Sequence, residues 1–124
     1  YLEELNYGNK IIGDNITDFW LDESLKITAY GQIEFLKRLY KNDLPFKIEN
    51  IDALKEIMID EKTNDYIIRA KTGWEGKYGW YVGYIETKDD VYFFATNINT
   101  KSKDDLAKRK KITLEALKIK GVIK

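Results

Sequence analysis

Residues 66–98 read YIIRAKTGWEGKYGWYVGYIETKDDVYFFATNI. Tyr66 to Lys71 is rich in β-branched and aromatic residues. From Tyr78 to Thr87, Trp80, Val82 and Tyr84 alternate with Tyr81, Gly83 and Ile85, the period-two pattern of a strand. Val91 to Ile98 is apolar almost throughout. Lys88-Asp89-Asp90 is turn chemistry between the last two runs, so these form an antiparallel hairpin. A strand with little polar alternation is buried on both faces. Val91 to Ile98 is therefore expected to be a central strand with helices covering both sides.

The pattern on either side has helical period. Thr28 can cap a helix running to about Lys41, on which Ile33, Leu36 and Tyr40 recur at three- and four-residue spacing, flanked by Phe35 and Leu39. Asn42-Asp43-Leu44-Pro45 stops it. A second helix should carry Ile51, Leu54, Ile57 and Met58 on one face. Tyr1 to Leu5 reads as a helix end, and Tyr7-Gly8-Asn9 and Gly13-Asp14-Asn15 as turns. Past the hairpin, Ser102 and Asp105 resemble a capping box. Lys118, Lys120 and Gly121 read as the close of a last helix that covers one face of the sheet. The fold class is thus α+β, an antiparallel sheet flanked by helices, with a helical part over about 1–62 and the sheet and final helix over about 63–124. Three strands are few for an independent sheet. The chain also begins at Tyr1, so it is expected to be a processed product or part of a longer domain.

At 124 residues with 44% hydrophobic content, the chain is one domain able to bury roughly two thirds of its unfolded surface. Lys+Arg and Asp+Glu number 21 each, for zero net charge. That argues against nucleic-acid or anionic-membrane partners, which call for a basic excess. With no His and no Cys, disulfides, zinc fingers, His-based triads and almost all zinc catalytic sites are excluded. No bound metal or cofactor is expected. No apolar run approaches the roughly 18–20 residues of a membrane span.

Lys71-Thr72-Gly73-Trp74 ends a strand just ahead of the Glu75-Gly76-Lys77 turn. Functionally it reads as an anion site along an acyl-transfer cleft. An ammonium and a hydroxyl project from a strand edge, Gly73 lets a ligand approach the backbone, and the next amide can meet a developing oxyanion. A strand end running into a turn explains the glycine equally well. Tyr7 and Asn9 could bring a phenol and an amide to the same cleft, or simply end a helix. Arg109 could clamp a carboxylate, or be one surface cation among Lys108, Lys110 and Lys111. Trp20 could orient a catalytic group through its indole N–H, or be core.

Taken in order, Tyr7-Gly8-Asn9, Phe19-Trp20-Leu21, Leu25-Lys26-Ile27-Thr28, Gln32 with Phe35-Leu36, Leu44-Pro45-Phe46, Lys71-Thr72-Gly73-Trp74, Gly79-Trp80-Tyr81-Val82-Gly83, Phe93-Phe94-Ala95 and Arg109 form one series. It resembles the C-terminal half of class D (serine) β-lactamases and the related penicillin-sensing domains of receptor proteins, over essentially the whole chain. The resemblance implies the C-terminal part of a transpeptidase-like fold. It also implies that Lys71 and Thr72 face a β-lactam carboxylate, with Lys71 adjusting the proton relay. Arg109 would bind that carboxylate, Trp74 would offer a main-chain oxyanion donor, Tyr7 and Asn9 would lie at the cleft rim, and Trp20 would bond a carbamylated lysine acting as general base. The S-x-x-K motif that holds the nucleophile and that lysine is absent, as is the S-x-V/I box.

The function so implied is β-lactam recognition, with serine acylation and ring hydrolysis once the N-terminal remainder of the domain is present, and hence antibiotic resistance. The chain alone is expected to be inactive. Its partners would be a β-lactam and that remainder, and its location would be outside the cytoplasm of a bacterium. Two alternatives stand beside this: a penicillin-sensor domain that is acylated but turns over very slowly, and a non-enzymatic interaction module. A pure scaffold would need none of Lys71, Thr72, Gly73 and Arg109.

Overall fold

The computed structural model describes residues 28–124. Helix α1 is Ala29–Tyr40 and α2 is Ile48–Ile57. Strands β1 (Ile59–Lys62), β2 (Tyr66–Trp74), β3 (Tyr78–Thr87) and β4 (Val91–Asn99) follow, then a 3-10 turn at Lys103–Asp105 and helix α3 (Ala107–Ile119). The strands form one antiparallel sheet in the order β1-β2-β3-β4.

The ends of the helices are set by local chemistry. The Thr28 hydroxyl accepts from the Gly31 N–H at 3.0 Å, capping α1. At the other end Asn42 adopts φ 59°, which lets Asp43 N–H reach the Arg38 carbonyl and Asn42 N–H the Leu39 carbonyl. This is a Schellman closure with asparagine in the left-handed position. Helix α3 closes the same way around Gly121 at φ 77°, through Val122 N–H to Leu117 and Gly121 N–H to Lys118. Ser102 caps the 3-10 turn, accepting from Asp104 N–H. Asp105 accepts from Lys101 N–H at 2.8 Å, so the reciprocal bond goes one residue beyond the Ser102 N–H of an ideal capping box.

Alternation along β3 divides the core between the two faces of the sheet. Val82 and Tyr84 meet Leu36 and Leu39 of α1, Ile51 of α2, Leu44 and Met58. Tyr81 and Ile85 meet Ile68 and Ala70 of β2 and Leu117 of α3. Burying such side chains is worth about 1.5–3 kcal/mol each. The Tyr84 ring is fully buried beside Tyr40 and Phe93. Its hydroxyl finds no hydrogen-bond partner among the described residues, and burial pushes its pKa up to about 12.

Three expectations are corrected. The sheet has four described strands rather than three. β1, Ile-Asp-Glu-Lys, carries no apolar pattern and is held instead by ladder bonds to β2 across a register shift between Ile59 and Glu61. The central, most buried strand is β3, while β4 lies at the margin of the described sheet. Its apolar faces do meet α1 on one side and α3 on the other. Covered faces, however, say nothing about lateral neighbours. In the helices, Leu54 and Ile57 of α2 are exposed, and Leu39 is the most buried residue of α1 whereas Tyr40 is partly exposed. The expectations for residues 1–27 lie outside the described residues.

Candidate active site

The site lies at the end of β2. Strand β1 reaches no further along it than Arg69, and the Ala70 N–H bonds back to the Met58 carbonyl at 2.8 Å. Main-chain direction alternates along an antiparallel strand, and the β2–β3 register runs unbroken to Trp74–Gly79. The N–H groups of Thr72 and Trp74 therefore point the same way as that of Ala70, onto the stretch of edge that β1 leaves open and that has no partner strand among the described residues. An open strand edge presents free donors and acceptors to whatever lies beside it.

Two cations flank this strand end, Lys71 at the open edge and Arg109 on the α3 side at the Gly73 carbonyl, which alternation turns toward β3. Side chains alternate between faces, so Lys71 and Gly73 share the α1–α2 face with Arg69, and Thr72 and Trp74 share the α3 face with Ile68 and Ala70. Exposed Lys71 folds over the edge, its Nζ donating to the Thr72 carbonyl at 2.9 Å. From the α3 side, Arg109 Nη1 donates to the neighbouring Gly73 carbonyl at 3.1 Å, and its Nε to the Leu106 carbonyl at 2.9 Å. These bonds use two of the five guanidinium N–H donors. Arg109 has no carboxylate partner among the described residues. Lys71, Thr72, Gly73, Trp74 and Arg109 thus come together around one strand end. Tyr7, Asn9 and Trp20 lie outside the described residues.

Gly73 has ordinary strand backbone, and a Cβ there would make only an ordinary contact with Trp80 Cβ at 3.7 Å. The positive φ of this region, 106°, belongs to Gly76 in the turn. That turn is fixed by Glu75, whose carboxylate accepts from the Lys77 and Tyr78 N–H groups. Hence neither turn strain nor packing among the described residues calls for glycine at 73.

Three supporting residues are not picked out as site residues by the sequence, although Gly79 opens one motif of the series. A Cβ at Gly79 would stand 3.0 Å from Arg109 Cδ and 3.2 Å from Thr100 Cγ2, so this glycine is the floor across which Arg109 runs. The Thr113 hydroxyl donates to the Arg109 carbonyl at 2.9 Å and so must accept from Thr96, 2.5 Å away, tying the Arg109 turn to β4. Only the four-residue spacing of Thr113 from Arg109 on a helix hints at this. Thr100 accepts from Trp74 Nε1 at 2.9 Å; nothing in the sequence pairs residues 26 positions apart.

Next to Arg109, Lys110 turns to β1, reaching Asp60 at 3.0 Å and Glu61 at 3.3 Å. The Tyr81 hydroxyl donates to Asp60 at 2.6 Å and that of Tyr66 to Glu61. The Tyr81 bond, helped by Lys110 and opposed by burial, holds the Asp60 carboxyl below its ordinary range. The Tyr66 bond does the same for Glu61. This network joins α3 to the sheet.

A family model for the penicillin binding protein transpeptidase domain matches residues 1–118. Curated relatives include β-lactamase OXA-20 of Pseudomonas aeruginosa, 48% identical over 113 residues, which span 90% of this chain and 42% of that protein. β-Lactamase OXA-48 of Klebsiella pneumoniae is 43% identical over 126 residues, 98% of this chain and 48% of the relative. Among solved structures, FUS-1 (OXA-85), a class D β-lactamase from Fusobacterium nucleatum, superposes with a TM-score of 0.92 at 45% identity, covering 99% of this chain and 53% of its own. A class D β-lactamase from Sebaldella termitidis superposes at 0.91 with 42% identity, covering 100% and 53%. The chain spans about half the length of the relatives it matches.

Proposed function

Because this chain belongs to the penicillin-binding protein transpeptidase domain family and its relatives are class D β-lactamases, we propose that it forms the substrate-gripping wall of a β-lactam pocket. The observation that carries the reading is the open end of β2, with Lys71 and Arg109 bonded to the consecutive carbonyls of Thr72 and Gly73. A β-lactam lying along this edge would place its carboxylate against the Thr72 hydroxyl and the unused Arg109 donors, a charge-assisted contact. Its ring carbonyl would accept from the Trp74 main-chain N–H, whose preorganised dipole stabilises negative charge on that oxygen as it is attacked. Lys71, beside the same edge, would lower the cost of proton movement toward the ring nitrogen as the amide bond breaks. Tyr7 and Asn9 would complete the rim.

The attacking serine and a carbamylated lysine as general base are assigned to an N-terminal remainder of the domain, as is the second oxyanion donor. Trp20 would orient that base. Two further observations support such a remainder. β4 has a partner on one side only among the described residues. Beside it a groove of about 460 Å3 is lined by Phe94, Thr96, Thr113, Ala116 and Leu117. A location outside the cytoplasm of a bacterium fits this substrate. Among the described residues no helix is long and apolar enough to cross a membrane.

The test is turnover of a chromogenic cephalosporin. The purified 124-residue chain should give none, and a mixture with the N-terminal remainder should hydrolyse it continuously. A burst of one equivalent without turnover would assign the sensor role instead. A complete protein that penicillin leaves without any mass shift would refute the reading altogether.

A further inference from the structure

Trp74 ends β2 under unusual conditions. Its main-chain N–H and C=O face the open edge, so the Trp74–Gly79 pair is a non-hydrogen-bonded one and β3 offers that peptide no ladder bond. What fixes the residue is its side chain. The residue is 38% exposed overall, yet its indole donates through Nε1 to Thr100 Oγ1 at 2.9 Å.

Thr100 is itself held firmly. It is 9% exposed, its N–H donates to the Lys77 carbonyl at 2.8 Å, and its hydroxyl donates to the same carbonyl at 3.1 Å. Its methyl and the Arg109 stem both lie over Gly79, for a Cβ there would be 3.2 Å from the one and 3.0 Å from the other. One side chain thus touches the residue whose amide faces the open edge, the turn after it, and the floor under the guanidinium.

We propose that Thr100 is a positioning residue for the acylation step: its hydroxyl, through the Trp74 indole, fixes the main-chain N–H of Trp74 at the strand edge, and its methyl keeps the Arg109 stem in place. The inference rests on the β-lactam reading above for its catalytic consequence and on geometry alone for its structural half. A hydroxyl is needed at 100 because an indole N–H can only donate. A branched side chain is needed because the methyl fills the space beside Gly79.

The experiment uses the complete protein with three variants. Thr100→Val keeps shape and removes the acceptor. Thr100→Ser keeps the acceptor and removes the methyl. Trp74→Phe removes the donor. Penicillin acylation should slow in Thr100→Val by about ten- to a hundredfold, the range expected for a catalytic group displaced by up to an ångström. Thr100→Ser should recover the rate to within about threefold while raising KM. Trp74→Phe should slow acylation in the same direction, and the double variant should be no slower than Thr100→Val alone, since Thr100→Val already removes the indole bond together with the hydroxyl's bond to Lys77. The 15N order parameter of the Trp74 amide should fall from about 0.85 toward 0.6 in Thr100→Val and be retained in Thr100→Ser. Wild-type acylation in Thr100→Val or Trp74→Phe overturns the proposal. A wild-type protein that is never acylated refutes the β-lactam reading instead. The order parameter then decides alone, and an unchanged value in Thr100→Val overturns the structural half.

Discussion

Glycines 73 and 79 have different physical reasons to be glycine. At 73 a Cβ would meet only ordinary contact inside the described chain, so the space matters to what approaches from outside. At 79 the space is already filled by Arg109 and Thr100. A methyl there displaces a flexible stem by a few tenths of an ångström, which the fold tolerates and a bidentate grip does not. In the complete protein, Gly79→Ala should raise KM several-fold for β-lactams bearing a free carboxylate, with kcat nearly unchanged. This is the signature of lost uniform binding. Steady-state kinetics on an acid and its methyl ester separates the cases: equal loss on both would mean Arg109 is not the clamp. At this scale the sequence carried the chemistry-bearing side chains, because K-T-G at a strand end and an arginine interrupting a helix are visible as letters. It could not carry Gly79, Thr100 and Thr113, whose roles exist only once β2, β4 and α3 are packed.

The element that the periodicity missed, β1, is the one held by charge. Asp60 and Glu61 stand side by side between Ile59 and Lys62, a sequence that fits a solvated loop as well as a strand. Their carboxylates are claimed by Lys110, Tyr81 and Tyr66 from two other elements. Both folded-state carboxyls titrate below their ordinary values. Their contribution to stability is therefore present above the unfolded values of 3.8 and 4.5 and is lost as pH falls through the lower folded ones. For Lys110, burial pulls the pKa down, but the two carboxylates more than offset it and the net shift is upward. Its contribution holds below its ordinary pKa and disappears as pH rises through the raised one. The Tm of the complete protein should accordingly fall on both the acid side, below pH about 4, and the alkaline side. Lys110→Met should shrink both flanks, leaving the part owed to the phenol–carboxylate bonds. Thermal denaturation across pH checks this; identical profiles would mean the network does not hold α3 to β1. The strongly patterned elements were legible to within a residue or two because β3 alternates and α1 is capped by Thr28. Polar β1 was not, since no hydrophobic period marks it, and in α2 the period groups Leu54 and Ile57 with buried Ile51 and Met58 although the first two are exposed.

At the scale of the whole molecule, the apolar run Val91 to Ile98 announced burial on both faces, and the structure supplies a helix for each. What that run could not specify was whether another strand lies beside it. The direction of its main chain now makes the question measurable. Thr100 N–H bonds to Lys77 across the hairpin, and the β3–β4 register runs without a shift from Tyr78–Asn99 to Glu86–Val91. By alternation, the amides of Tyr92, Phe94 and Thr96 point inward to β3, and those of Phe93, Ala95 and Asn97 point outward. An exposed apolar edge of this length is a template for pairing, and unprotected amides there exchange without any opening of the fold. If the proposed N-terminal remainder adds a strand to β4, all six amides should be protected alike in the complete protein. In the isolated chain Phe93, Ala95 and Asn97 should exchange orders of magnitude faster than their inward neighbours. Hydrogen exchange read residue by residue on both samples makes the comparison. Fast exchange at Phe93 and Ala95 in the complete protein would leave β4 a true edge and refute a strand added there.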